Sequence, residues 1–216
     1  MRDVYHDELD AITDQLVEMT RLVGEAVSLA TQALLTSDLA IAESVIEGDE
    51  AVNLLHENVE FRTVDLIARQ QPVAGDLRAL TTGLRITSDL ERSGDLAVHV
   101  AKLARRKYPA CAVPGELQGT VREMGAVAAE IVNKAGDVVK SRDADRAAEL
   151  ERDDDVMDEL HRTLLRTMLA PEWPYGVDTA IDLALAGRYY ERFADHAVAV
   201  ARQVLYLVTG ESAVRG

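Results

Sequence analysis

The sequence is short of the residues that build disulfide frameworks and β-sheets. Cys111 is the only cysteine among 216 residues, so no internal disulfide can close and no cysteine-based zinc site can form. Aromatic residues make up 4% of the chain, while Ala, Leu, Val, Glu, Asp and Arg dominate, a balance that favours long packed helices over twisted sheet. Cations are in deficit: 23 Lys and Arg stand against 38 Asp and Glu, a formal net charge of -15. Such a charge repels polyphosphate, which argues against nucleic acid as a ligand, and gives no adhesion to anionic lipid. Basic proteins and metal cations are the natural partners. No apolar run approaches the roughly 18 residues of a membrane span, and the start MRDVYHDELD lacks an apolar signal-peptide stretch. The expectation is an unexported chain without membrane insertion, for which a reducing cytoplasm is the fitting location.

Apolar residues are plentiful, 48% of the chain, and they recur with a helical period. Tyr5, Leu9, Ile12, Leu16, Met19, Val23, Ala26, Ala30 and Ala33 follow steps of four and three, the stripe of one long bundle-facing helix. Ser37 or Asp38 caps a second, which runs through Ile41, Val45, Val52, Leu55, Val59 and Leu66 until QQPVAGD supplies Pro72 and Gly75 as breakers. A third carries Leu77, Leu80, Leu84, Val98 and Ala101 as far as Tyr108 and Pro109. After YPACAVPGE the pattern restarts with Leu117, Val121, Met124, Ala128, Ile131, Ala135 and Val138. Asp143 opens a fifth helix holding Leu150, Met157, Leu160, Leu164 and Met168, PEWPYG breaks it, and a sixth runs from about Val177 to Val208. The repeated order predicts an all-α fold of two tandem three-helix bundles related by internal duplication. Residues 1–108 form the first bundle, 109–116 a linker, 117–210 the second bundle and 211–216 a tail. At about 1.5 Å per residue the longest helices reach roughly 45 Å, so each bundle is elongated.

The third helix of each half reads Glu-Arg-x-x-Asp: Glu91 to Asp95, and Glu191 to Asp195. Chance alone gives roughly seven acid pairs at this spacing in so acidic a chain, so one pair means nothing. Recurrence at the same place in both halves means more, and so does position. Heptad steps from Leu77, Leu80, Leu84 and Thr87 land on Glu91 and Gly94 before returning to Val98, which puts Glu91 where a core residue is expected. Glu191 stands likewise between Ala184 and Val198. The middle helices carry a matching interruption, Asp49 with Asn53 and Asp154 with Asp158. Seam carboxylates need a compensating charge, because desolvating one costs several kcal/mol. A metal between two such helices supplies it, and oxygen-only donors point to Mg, Mn, Fe(III) or Ca, with Zn admissible.

Other readings compete. In one, the acids are solvated and paired with Arg92, Arg192 or Arg85, leaving a metal-free helical scaffold. A ferritin-like di-iron protein that stores iron or activates oxygen is an alternative of another class, but its Glu-x-x-His is not found on the seam. His56 and His161 follow Asn53 and Asp158 by three residues, a ligand spacing that an outer-face histidine satisfies equally. Arg105, Arg106 and Lys107 suit a helix C-terminus, and Trp173 between Pro171 and Pro174 suits a plug at the bundle end. No Gly-rich phosphate loop and no nucleophile-base constellation is legible, so the chain is not expected to be an enzyme.

The segments ARQQPVAGDLRAL and ITSDLERSGDLAVHVAKLA resemble the central signature of the PhoU family, and GRYYERFADHAVAVARQVLYLVTGE resembles its C-terminal counterpart. The likeness spans Met1 to Glu211. It implies a six-helix duplicated bundle with metal clusters on paired acidic motifs: Asp49, Asn53, Glu91 and Asp95 in one site, Asp154, Asp158, Glu191 and Asp195 in the other. It further implies a homodimer that negatively regulates the phosphate response, linking a phosphate ABC transporter ATPase subunit to a membrane sensor histidine kinase. Asn53 departs from the acid that the pattern prefers, which predicts a weaker first site.

Overall fold

The computed structural model describes residues 2–211, with side chains from residue 7 onward. The Tyr5 side chain and the tail beyond Glu211 lie outside the described residues. Six helices follow one another: α1 (Arg2–Thr36), α2 (Leu39–Gln70), α3 (Gly75–Lys107), α4 (Gln118–Ser141), α5 (Ala144–Met168) and α6 (Gly176–Thr209), with a 3-10 turn at Gly115–Leu117 before α4. No strand occurs among the described residues.

The duplication is legible down to single caps. Ser37 and Arg142 both take a left-handed conformation, and the next residue in each case, Asp38 or Asp143, accepts hydrogen bonds from the first amides of α2 or α5. These caps satisfy donors that the helix cannot satisfy itself, and each side chain contributes about 1 kcal/mol. Counting on from the caps, Val45 matches Leu150, Val52 matches Met157 and Val59 matches Leu164, all buried.

Helices α1, α3, α6 and α4 pack in that order around a ring, α2 lies against α1 and α3, and α5 lies against α4 and α6. One apolar core therefore runs through both halves, from Ile12 and Met19 to Leu183 and Val204. Small residues let α1 and α4 approach closely. Thr31 of α1 sits on Gly125 of α4, and Thr20 sits on Gly136. The Thr31 hydroxyl also shares a 2.8 Å hydrogen bond with the buried Tyr190 phenol, whose pKa burial pushes up.

Two sequence expectations are corrected. Leu77 is exposed rather than core, because the α3 stripe turns inward only at Leu80. Gly75 is not a breaker but the first residue of α3; Gln71 and Ala74, both at positive φ, make the turn around Pro72. The sixth helix, expected from about Val177 to Val208, runs from Gly176 to Thr209.

Candidate functional site

The seam acids come together in two clusters built alike. On α2 and α5 the middle turn presents Asp49 with Asn53 and Asp154 with Asp158, four residues apart and so on one helical face. On the facing helices α3 and α6, Glu91 with Asp95 and Glu191 with Asp195 occupy the same position of each duplicate. Glu91 and Glu191 are only 24% and 16% exposed, as their place on an apolar stripe requires.

The electrostatics record the convergence. Burial pushes the Asp154 carboxyl up to about 6, and the negative charges of Asp195, Asp158 and Glu191 push the same way, with Arg202 opposing. Asp49 moves in the same direction through burial and the charges of Asp95 and Glu91, while a hydrogen bond from Asn53 and the charge of Lys102 pull it back. In both clusters too little positive charge accompanies the carboxylates. The clusters differ at Asn53, whose amide donates to Asp49 Oδ2 at 3.2 Å and so replaces a repelling acid with a hydrogen-bond donor. Gly94 opens the space that Asp49 uses: a Cβ there would stand 3.0 Å from Asp49 Oδ1. The equivalent residue of α6 is Ala194.

Arginines take up the acids that the clusters leave at their rims. Arg92 reaches Asp95 at 3.2 Å and Glu91 at 3.6 Å, and Arg162 reaches Asp158 at 3.8 Å. Glu191 pairs with Arg188, one turn before it, rather than with Arg192 as the sequence suggested. With the side chains so turned, no three His, Cys, Asp or Glu among the described residues converge on one point as a finished metal shell. The donor chemistry fits a hard cation: oxygens only, two facing pairs, and a half-buried carboxylate, Asp49 or Asp154, whose ionisation its acidic neighbours oppose. These are the residues that would hold such an ion, whose contribution would be to neutralise them.

His56 and His161 are partly buried, and among the described residues neither forms a hydrogen bond or ion pair with the acid pairs. His56 Nδ1 lies 3.4 Å from the Thr87 carbonyl oxygen and Nε2 lies 3.4 Å from Glu60. The His161 ring packs on Gly187, the α6 equivalent of Thr87. Both serve the contact between the second and third helix of their half. Trp173 is partly buried at the bundle end, with its indole nitrogen donating to the Gly176 carbonyl at 2.8 Å.

Sequence reasoning missed two features. Asp182 is buried on α6 and holds Arg106 and Lys107, the latter at 2.7 Å, so the basic run that seemed a dipole complement also fastens α3 to α6. Asp89 of α3 pairs with His196 of α6 at 3.1 Å, and farther along the same helix pair His99 stacks on Tyr189 with ring centres 5.1 Å apart. Only the crossing of α3 and α6 brings these residues together, and no local spacing announces them.

Two segments, residues 16–104 and 121–204, match the family described as PhoU domain. The chain is 47% identical over 210 residues to a phosphate-specific transport system accessory protein PhoU homolog 2 of Mycobacterium tuberculosis, covering 97% of this chain and 99% of that protein. The chain belongs to the PhoU family. Among solved structures it superposes on PhoU from Pseudomonas aeruginosa with a TM-score of 0.85 at 31% identity, covering 96% of this chain and all of the other. PhoU from Streptococcus pneumoniae gives a TM-score of 0.87 at 24% identity, a likeness of fold. Each PhoU segment contains one complete acid cluster: Asp49 to Asp95 in the first, Asp154 to Asp195 in the second. Membership of the PhoU family does not favour the ferritin-like alternative.

Proposed function

We propose that this PhoU-family chain is a cytoplasmic negative regulator of the phosphate-starvation response and of phosphate uptake, an adaptor between the ATPase subunit of a phosphate ABC transporter and a membrane sensor histidine kinase. The carrying observation is end-to-end likeness to relatives named phosphate-specific transport system accessory proteins, at 47% identity over 97% of the chain. A second support is that no described helix is long and apolar enough to cross a membrane, which suits an accessory to membrane components rather than one of them. The adaptor works by binding, as a homodimer, and carries out no catalysis of its own. In this reading the two acid clusters hold metal ions that brace α2 on α3 and α5 on α6. Iron, manganese, magnesium and zinc are the candidate ions, and the second cluster is the stronger site.

Gene deletion tests the regulatory reading. Phosphate-starvation genes should be expressed constitutively in phosphate-rich medium, and complementation should restore repression. Unchanged repression in the deletion strain would remove the proposal. Elemental analysis of the purified protein before and after chelation tests the metal part separately.

A further inference from the structure

The outer face of α2 carries large apolar side chains in open solvent. Phe61 is 73% exposed, Val64 61% and Leu54 56%. Leu54 and Phe61 are a heptad apart and Val64 follows three residues later, so all three project from one side of the helix. Around them on the same side stand Glu47, Glu50 and Glu57, none of which has an ion pair among the described residues. An exposed phenylalanine flanked by unpaired acids does nothing for the core of the bundle.

The duplicated half supplies an internal control. Carried along the same register that matches Asp49 to Asp154 and His56 to His161, Leu54 becomes Glu159, Glu57 becomes Arg162 and Phe61 becomes Arg166 on α5. There the places of Leu54 and Phe61 are salt-bridged, with Arg162 and Arg166 both paired to Glu159, while Val64 keeps an exposed apolar counterpart in Leu169. The same fold position is therefore served well by a salt-bridged surface, and the apolar anchors on α2 are not required by the architecture. Anchors spaced along one helix face match a second helix lying beside it. The flanking charge selects its sign. A second copy of α2 would set Glu47, Glu50 and Glu57 against an equally acidic face, so self-pairing through this face is opposed, whereas lysine or arginine beside an apolar stripe is complementary.

We propose that the outer face of α2, centred on Leu54 and Phe61, docks a basic amphipathic helix of a partner protein. The proposal goes beyond the phosphate-regulatory reading and stands whatever system the partner belongs to. Phe61 and Leu54 fill the apolar side of the contact, and Glu50 and Glu57 face the partner's cations. One helix binds per chain, because α5 carries Glu159 and Arg166 where α2 has the central anchors Leu54 and Phe61.

The test uses the full-length protein and a synthetic helical peptide with leucines at heptad spacing flanked by lysines, followed by calorimetry and fluorescence anisotropy. Its companion carries glutamate in place of lysine. Wild type should bind the lysine peptide with a stoichiometry of one and more weakly as salt rises, and should not bind the glutamate peptide. The double variant Leu54→Glu with Phe61→Arg copies residues that α5 already carries in the same fold, and should keep its circular dichroism while losing at least about tenfold in affinity. Phe61→Ala should lose affinity in the same direction without adding charge. The reciprocal variant Glu159→Leu with Arg162→Glu and Arg166→Phe should raise the stoichiometry to two. Equal affinity in wild type and double variant would overturn the proposal, since the peptide would then be following net charge alone. Sedimentation showing that Phe61→Arg dissolves a homodimer would overturn it in favour of a self-contact. Binding of anionic vesicles that disappears in the same variant would overturn it in favour of a lipid surface.

Discussion

Among the eight candidate ligands, one residue differs in chemistry between the two acid clusters. At Asn53 an amide replaces the carboxylate that Asp158 provides, and the amide donates to Asp49 instead of repelling it. The second cluster therefore concentrates more negative charge and should load metal first and release it last. Calorimetric titration should find Asp195→Ala lowering metal content and thermal stability more than Asp95→Ala, and Asn53→Asp tightening the first site. Equal affinities at both sites, or no response to Asn53→Asp, would dismiss the assignment. The metal-free protein makes its own prediction. Asp154 titrates at about 6 in the folded chain against 3.8 as an isolated group, so between these values the folded state binds more protons than the unfolded one. Stability of the chelator-treated protein should then fall as pH rises from about 4 to about 6 and level off above, with Asp154→Asn flattening that slope. Urea titrations across this range measure the difference, and an identical slope in the variant would contradict it.

The contact of α1 with α4 depends on glycine at the element scale. A Cβ at Gly125 would stand 2.8 Å from Thr31 Cβ and 2.5 Å from Thr31 Cγ2, and because Cβ cannot rotate away, the helices must separate. Overpacking of this kind costs about 1–3 kcal/mol, which exceeds the gain of at most about 1 kcal/mol from replacing a helical glycine by alanine. Gly125→Ala should therefore destabilise the protein. Gly48, inside α2 with nothing within 4 Å of its missing Cβ, should show the opposite sign, with Gly48→Ala stabilising by roughly 0.5–1 kcal/mol. Thermal melts of the two variants decide both signs.

Across the whole molecule, the ring of α1, α3, α6 and α4 joins the halves through one core. The connection between α3 and α4 therefore divides the sequence without dividing the apolar interior, to which its Ala112 and Val113 contribute. Calorimetry of the full chain should show a single cooperative transition, and two well-separated transitions would contradict a shared core. Light scattering at tens of micromolar should report a homodimer, the assembly proposed here.

The sequence by itself determined the helices, their breaks and caps, and the pairing of Asp49, Glu91, Asp154 and Glu191 with their i+4 partners, because all of these are local: helical period, cap chemistry and spacing on one face act over a few residues. It also determined the family, since the repeated acidic signatures survive as contiguous strings. Only the tertiary structure decided how the two bundles share a core, where Leu77 and Phe61 lie relative to solvent, and which arginine meets which acid. Asp182 with Arg106 and Lys107, Asp89 with His196, and Thr31 with Gly125 and Tyr190 join residues far apart in the chain, so the packing of whole helices sets their geometry. That packing depends on side-chain volume summed along each seam, and no spacing within one helix encodes it.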